Sequence, residues 1–302
     1  MESEEILLNK ARELGAVGVG IIPAGRPAGL ERFYRWLDSG CNAEMNYLSA
    51  RREAYADPNR ILPGVKSLFV LAFAQPVIPV EASTDDSACL GRIASYAAGE
   101  DYHNRIRVIL KELAQTHRSL FPQEKCRGVV DTAPILEKDA AVAAGLGYIG
   151  RNTLLQCKTH GSRVNLAVLL STATLQMRNI TDSQFLSCKN CKKCIESCPT
   201  GALSEAGLDA RRCLSYWLIE HRGEIPDEIA AVAGNRLFGC DTCQDVCPHN
   251  APGNVQYINI ESVLAMTEEE FQVRFSATPV SRCGLEGLKR NALIVKRNAE
   301  RS

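Results

Sequence analysis

The sequence predicts a mixed α/β (α+β) protein, with an α/β domain over residues 1–178, a small cysteine-rich domain over 179–250 and a short helical segment over 251–302. Three observations carry this expectation. The runs SLFVLAF (67–73) and VNLAVLL (164–170) are apolar throughout and bounded by turn residues, the pattern of strands buried on both faces. Between them, YHNRIRVILKELAQTHRSL (102–120) repeats its apolar side chains at helical spacing. Eight cysteines then crowd into residues 188–247.

Along the chain, the acidic start MESEEILLNKARELG gives an amphipathic helix over 4–14 that stops at Gly15, and AVGVGII (16–22) follows as a short strand. GVVD (128–131) is a further strand. PILEKDAAVAAG (134–145) reads as a helix that opens at Pro134 and closes at Gly145, since proline's fixed φ suits a first turn and glycine suits the exit. From residue 251 the chain is expected to return to helix. It ends in SRCGLEGLKRNALIVKRNAERS, six basic residues against two acidic ones.

The cysteines fall into two runs. The first is Cys188-x2-Cys191-x2-Cys194-x3-Cys198 followed by Pro199, and the second is Cys240-x2-Cys243-x3-Cys247 followed by Pro248, with Cys213 alone upstream. This is the ligand arithmetic of two [4Fe–4S] clusters in a bacterial-ferredoxin-like domain. Two-residue gaps let one loop turn three thiolates to a single cubane, while the fourth cysteine starts a helix that carries it to the other cluster. Cys188, Cys191, Cys194 and Cys247 are thereby assigned to one cluster, and Cys198, Cys213, Cys240 and Cys243 to the second. Zinc also uses C-x2-C pairs, but two runs that each end in Cys-Pro fit it poorly. Cys41, Cys89, Cys126, Cys157 and Cys283 have no ligand spacing and read as small buried fillers.

Lys and Arg number 35, as do Asp and Glu, so no global field points to nucleic acid or a lipid surface. No apolar run approaches the roughly 20 residues of a membrane span, and the N-terminus lacks the pattern of a secretory signal. A cytoplasmic protein without membrane attachment is expected, in keeping with thiols kept reduced for cluster assembly. The N-terminal domain has no G-x-G-x-x-G fingerprint, P-loop, H-E-x-x-H or Ser-His-Asp constellation. A domain of this size coupled to two clusters must hold some other electron acceptor.

Three further stretches carry a resemblance. VDTAPILEKDAAVAAGLGYIGRNTLL (130–155), SYAAGEDYH (95–103) and DARRCLSYWLIEHRGEIPDEI (209–229), in this order with the cysteine runs, resemble the epoxyqueuosine reductases over residues 5–298. The resemblance implies a nitroreductase-like domain that binds cobalamin base-off, joined to the two-cluster domain. It implies an oxidoreductase that removes the epoxide oxygen of epoxyqueuosine at the wobble position of tRNA as water, leaving queuosine. Electrons would reach cobalt one at a time through the clusters, from a low-potential donor such as flavodoxin or ferredoxin.

It also implies roles for residues. Asp131 in VDTAP is the expected proton donor, because expelling an epoxide oxygen needs an acid, and a carboxyl shielded from water keeps its proton at neutral pH. Read from the residues alone, Asp131 or Thr132 better suits the cap of a helix opening at Pro134; the match to VDTAP reverses that preference. Tyr148, Arg151, Asn152 and Thr153 in GLGYIGRNT offer a glycine-flanked loop with donors for the amide arms of a corrin. Tyr96 and Asp101 are placed near cobalamin or substrate, while His103 reads as a core histidine or a helix N-terminal residue. Ser215, with Tyr216, Glu220 and His221, and Asp241 with Thr242, are placed at the cofactor. Glu137, Lys138 and Asp139 read as a solvated helix face. Arg282, Lys289, Arg290, Lys296 and Arg297 suit tRNA phosphates or an exposed amphipathic helix equally.

Some features depart from the family. Tyr148 stands where tryptophan is frequent, Arg151 where lysine is, and His249 follows Cys-Pro where an aromatic ring is usual. The chain also reads as a short form without a C-terminal HEAT-like extension. The competing readings are a cytoplasmic reductive dehalogenase-like corrinoid enzyme and a non-enzymatic iron–sulfur electron carrier.

Overall fold

The computed structural model of the chain describes residues 3–76, 89–177 and 187–301. The expected boundary at 178/179 lies outside these residues. In chain order the elements begin with α1 (Ser3–Glu13), β1 (Ala16–Pro23), α2 (Leu30–Asp38), α3 (Asn46–Ala50), β2 (Ser67–Ala74) and β3 (Leu90–Ile93). Then come α4 (Tyr102–Leu120), β4 (Cys126–Val129), α5 (Glu137–Ala143), β5 (Gly147–Ile149), β6 (Leu155–Cys157) and β7 (Val164–Ser171). The cysteine-rich part holds α6 (Lys193–Glu196), β8 (Leu203–Ser204), β9 (Gly207–Leu208), α7 (Asp227–Ala231), β10 (Arg236–Phe238) and α8 (Thr242–Asp245). The last elements are β11 (Gln256–Asn259), α9 (Ile260–Ala265), α10 (Glu268–Phe275) and α11 (Gly284–Ala299).

Contacts divide the chain into two compact units: Met1–Gly40, Asn46–Gln75 and Tyr102–Asn190 in the first, and Cys41–Met45, Pro76–Asp101 and Cys191–Ser302 in the second. This partition does not follow the three segments read from the sequence. Its cause is strand pairing: β3 pairs with β10 and β11, taking its segment into the second unit.

The first unit is built on an antiparallel sheet of order β1-β2-β7-β4. Successive strand residues face opposite sides. In β2, Phe69, Leu71 and Phe73 pack with Leu7 of α1 and Ile106, Leu110 and Leu113 of α4. Leu68, Val70 and Ala72 pack on the opposite side with Ala140, Ala141 and Ala144 at α5. Helices cover both faces, which is why β2 and β7 read as unbroken apolar runs. Truncating one such fully buried side chain, as in Phe69→Ala or Leu71→Ala, is expected to destabilise this unit by about 2–5 kcal/mol.

In the second unit β3 pairs parallel with β10 and antiparallel with β11. Ile93, Phe238 and Ile258 share a core with Phe271 of α10 and Leu288, Ala292 and Val295 of α11. The region after 251 is thus mostly helical, as expected, but first contributes a strand. A capping box fixes the start of α10: the Thr267 hydroxyl accepts from Glu270 N–H at 3.2 Å, and Glu270 accepts from Thr267 N–H at 2.8 Å. No helix among the described residues is long and apolar enough to cross a membrane.

Candidate active site

In the first unit the polar residues gather on the two loops that leave β4 and β5. β4 ends at Val129, two residues earlier than expected, and buried Val130 leads to Asp131. Asp131 has φ +56°. A left-handed backbone costs an ordinary residue about 1–2 kcal/mol, less for aspartate, and here two bonds hold it. Asp131 N–H donates to Glu137 Oε1 at 2.8 Å, and Asp131 Oδ2 lies 3.1 Å from Nε2 of His103, a buried residue in the first turn of α4. Tyr102 lies against the His103 ring, with centroids 4.0 Å apart.

The capping alternative is not realised. The helix opens at Glu137 rather than Pro134, with Leu136 at its N-cap and no side-chain cap. Nor is Asp131 shielded by its own unit, since its side chain is 46 % exposed. The reading of Glu137, Lys138 and Asp139 as a solvated face holds for exposed Lys138 but fails for Glu137 and Asp139, which are partly buried. Glu137 turns back to the Asp131 backbone, Lys138 Nζ donates to Thr153 O at 2.9 Å, and Asp139 accepts from Arg32 at 3.0 Å. Burial pushes the half-buried Glu137 carboxyl up to about 8; the nearby Asp131 charge adds to this, while the Asp131 N–H and Lys138 oppose it. A carboxyl of this kind beside an aspartate is a functional signal that sequence spacing did not reveal.

The second loop is a hairpin, β5 with β6. Gly145 closes α5 with φ +75°, as the sequence anticipated. Gly147 serves packing within the hairpin: a Cβ there would stand 2.1 Å from the Gln156 carbonyl oxygen. Thr153 has φ +63°. Asn152 is buried; its Oδ1 accepts from Gln156 Nε2 at 3.1 Å, while its Nδ2 has no hydrogen-bond partner among the described residues. A buried amide donor left in this way costs about 1–3 kcal/mol, and the amide carbonyls around a corrin are acceptors of the right kind. Arg151 N–H is directed at Cys188 Sγ at 3.4 Å, and its guanidinium donates to Lys189 O at 3.1 Å. The loop expected to meet a corrin therefore also contacts a cysteine expected to ligate a cluster. Tyr148 lies half-buried on β5.

In the second unit, burial pushes the Cys243 thiol up, reinforced by neighbouring Cys240, Cys213, Cys194 and Cys198. Burial also raises Cys213, against donation from Tyr216 and Ser215 N–H and with added repulsion from Cys240 and Cys198. For Cys198, burial acts upward but is outweighed by the N–H groups of Leu203, Thr200 and Ala202 and the Thr200 hydroxyl, so its thiol is drawn down. Cys198, Cys213, Cys240 and Cys243 thus occupy one neighbourhood, with Cys194 close to Cys243. Four thiolates this close repel unless metal ions neutralise them, and N–H donors to sulfur are the usual tuning of iron–sulfur ligands. Among the described residues no three His, Cys, Asp or Glu side chains converge as ligands of one ion. A cubane, with iron at each ligated corner, holds its thiolates further apart than a single ion does.

Several other residues expected at the cofactor also make contacts within this unit. Asp241, 3 % exposed, accepts from Ser95 N–H at 2.6 Å and lies 3.6 Å from Arg92. Thr242 Oγ1 accepts from Arg236 at 2.8 Å and lies 3.4 Å from Cys240 Sγ. Tyr96 sits by Phe238, and Asp101 N–H donates to Ala277 O at 2.8 Å. Just after Cys213, Tyr216 and His221 both meet Glu44 Oε2 at 2.8 Å, a partner the sequence did not indicate. Of the basic tail, Arg290 is turned inward to Trp217 O, His221 O and Gly223 O, at 2.8–3.0 Å. Lys296 and Arg297 make only exposed pairs, with Glu261 and Asp227, which neutralise little, so Arg290 alone of these three is engaged within the unit.

Comparison with known proteins places this geometry. Residues 56–132 match the family described as epoxyqueuosine reductase QueG, DUF1730, and residues 187–250 match the 4Fe-4S double cluster binding domain. An epoxyqueuosine reductase of Pseudomonas aeruginosa is 36 % identical over 307 aligned positions, covering 95 % of this chain and 83 % of the relative. The chain belongs to the epoxyqueuosine reductase family. Among solved epoxyqueuosine reductases, that from Streptococcus thermophilus superposes with a TM-score of 0.89 at 27 % identity, covering 99 % of this chain and 82 % of that one. Another, solved with an epoxyqueuosine-modified tRNA-Tyr stem loop, also gives 0.89 at 27 %, with 98 % and 81 % covered. A reductive dehalogenase structure associated with B12-dependent dehalogenation shares the fold alone, at TM-score 0.51 and 16 % identity over 98 % of this chain and 36 % of that one. As an epoxyqueuosine reductase the protein is an oxidoreductase of mixed α/β architecture with a 4Fe–4S-binding region. The dehalogenase-like and electron-carrier alternatives are not favoured.

Proposed function

We propose that the protein reduces epoxyqueuosine to queuosine at the wobble position of tRNA in the cytoplasm, with base-off cobalamin and two [4Fe–4S] clusters, and with Asp131 as proton donor. The observation that carries the residue assignment is the Asp131 loop, a left-handed aspartate held by Glu137 at its N–H and by His103 at its carboxyl. Outliers of this kind concentrate at functional sites. A low-potential donor such as flavodoxin or ferredoxin would feed the clusters.

Epoxide removal takes two electrons and two protons, breaks both C–O bonds and releases water. Cobalamin, when bound, would supply the low-potential reducing electrons for this. The polypeptide's task is to deliver a proton to the departing oxygen and to fix the donor. Asp131 is the proposed donor of that proton. His103 Nε2 orients Oδ2, and Glu137 Oε1 holds the N–H so that the side chain projects from the loop. Asn152 Nδ2, with Tyr148, Arg151 and Thr153 of the same loop, would hold cobalamin's amide arms. Tyr96, Asp101, Ser215, Asp241 and Thr242 are proposed at the cofactor through the second unit. Cys188, Cys191, Cys194 and Cys247 would hold one cluster, and Cys198, Cys213, Cys240 and Cys243 the other. On this reading residues 1–178 act as the cobalamin-binding module, 179–250 as the cluster module and 251–302 as its helical support.

The test is incubation of protein reconstituted with iron, sulfide and cobalamin with epoxyqueuosine-containing tRNA and a strong reductant, read by nucleoside mass spectrometry. Queuosine should accumulate, and the visible spectrum should show base-off cob(II)alamin. Iron and sulfide uptake with no corrinoid binding and no queuosine would leave an electron carrier.

A further inference from the structure

The first unit has a concavity of about 330 Å³ bordered by the loop that follows Asp131, through Thr132, Ala133 and Pro134. Four arginines line it, Arg51, Arg60, Arg107 and Arg127, with no carboxylate among the lining residues. They come from distant places in the sequence: Arg51 follows α3, Arg60 ends the 3-10 turn Pro58–Arg60, Arg107 lies on α4 and Arg127 on β4. The chain is neutral overall, so this convergence is a product of the fold and not of composition.

Two of the guanidiniums are fixed in direction. Arg51 Nη1 donates to Thr132 O and Arg127 Nη1 to Ile61 O, each at 2.9 Å. Each bond uses one of five N–H donors. Arg60 pairs with Glu53 at 3.0 Å, but both side chains are more than half exposed, at 56 % and 79 %, so the pair neutralises little. Arg107 has no ion-pair partner among the described residues. Clustered like charges repel, and preoriented guanidinium forks match phosphate oxygens.

We propose that this concavity binds phosphodiester, so that a phosphate is captured on the same structural element that presents Asp131. Two sources share that chemistry: the RNA backbone beside the modified nucleotide, and the phosphodiester in the nucleotide tail of cobalamin. Four guanidiniums suit successive phosphates of a strand better than one tail phosphate. The RNA source rests on the function proposed above. An acidic protein partner fits less well, because a docking face needs about 800 Å² per partner and this is a small recess.

Arg60→Gln with Arg107→Gln tests the proposal, because neither side chain anchors a backbone carbonyl. The double variant and the wild type, both cluster-loaded, are compared in two titrations: an epoxyqueuosine anticodon stem-loop across a salt series without cobalamin, and cobalamin alone by visible spectrum. If RNA supplies the phosphate, stem-loop affinity falls about tenfold or more, its log K versus log salt slope shrinks by about 0.7 for each phosphate no longer neutralised, and cobalamin affinity is unchanged. If the tail supplies it, cobalamin affinity falls and stem-loop affinity does not. Both affinities unchanged would overturn the proposal, and slowed electron uptake from flavodoxin on that background would assign the site to a protein. Failure of the wild type to form queuosine would instead count against the proposed function, whatever the two titrations give.

Discussion

Asp131 has an exposed carboxyl on a fixed backbone, and its two anchors do different work. His103 touches the carboxyl itself, whereas Glu137 touches only the N–H. Asp131→Asn keeps the shape and the bond from its N–H but has no carboxyl proton to give. It should retain iron and cobalamin while turnover drops about 10²–10⁴-fold, the usual worth of a general acid; a near-normal rate would remove Asp131 from the chemistry. Glu137 acts through Asp131, so Glu137→Gln, which keeps an acceptor oxygen, should rescue most of the rate lost in Glu137→Ala. Its raised pKa gives a further signature. The folded state binds this proton more tightly than the unfolded chain, so the group's stabilising effect is complete below about 4.5 and is lost as pH rises through about 8. Thermal unfolding of the wild type should therefore weaken between pH 5 and 8 more steeply than that of Glu137→Gln, and parallel curves would contradict the assignment.

At the scale of elements, what the sequence made legible depended on how far the cause lay. Helix α4 over Tyr102–Leu120 and strands β1, β2 and β7 follow from local periodicity and appear within a residue or so of expectation. Helix α5 starts three residues later than Pro134 suggests, because residues 131–136 are spent on the turn that fixes Asp131. Glu137 looked solvated because its partner is a backbone N–H six residues back, which no helical spacing encodes. One residue of the basic tail misled for a similar reason. Arg290 lies on the inner side of α11 and binds three carbonyls of the segment after Cys213, well away from it in sequence. Arg290→Met keeps the apolar stem and abandons those carbonyls. It should destabilise the second unit by about 2–4 kcal/mol, seen as a lowered unfolding midpoint with impaired iron retention. An unchanged midpoint would return Arg290 to the surface role first read from the sequence.

For the whole molecule, the cysteine spacing announced the chemistry, yet it did not reveal that β3 joins the cysteine-rich part through pairing with β10 and β11. Strand partners so far apart in sequence leave no periodic trace. Cys213, alone upstream of the second run, completes the expected ligand count, and the fold sets it near Cys198, Cys240 and Cys243. Cys213→Ala should leave one cluster, halving bound iron and stopping turnover; full iron content would refute the proposed pairing.

The most direct measurement compares wild type and Asp131→Asn, both loaded with clusters and cobalamin, in a single turnover of epoxyqueuosine stem-loop RNA read by nucleoside mass spectrometry. Proton donation by Asp131 predicts queuosine from the wild type and a rate at least about 10²-fold lower from the variant. Equal rates, or no queuosine from the loaded wild type, would contradict it.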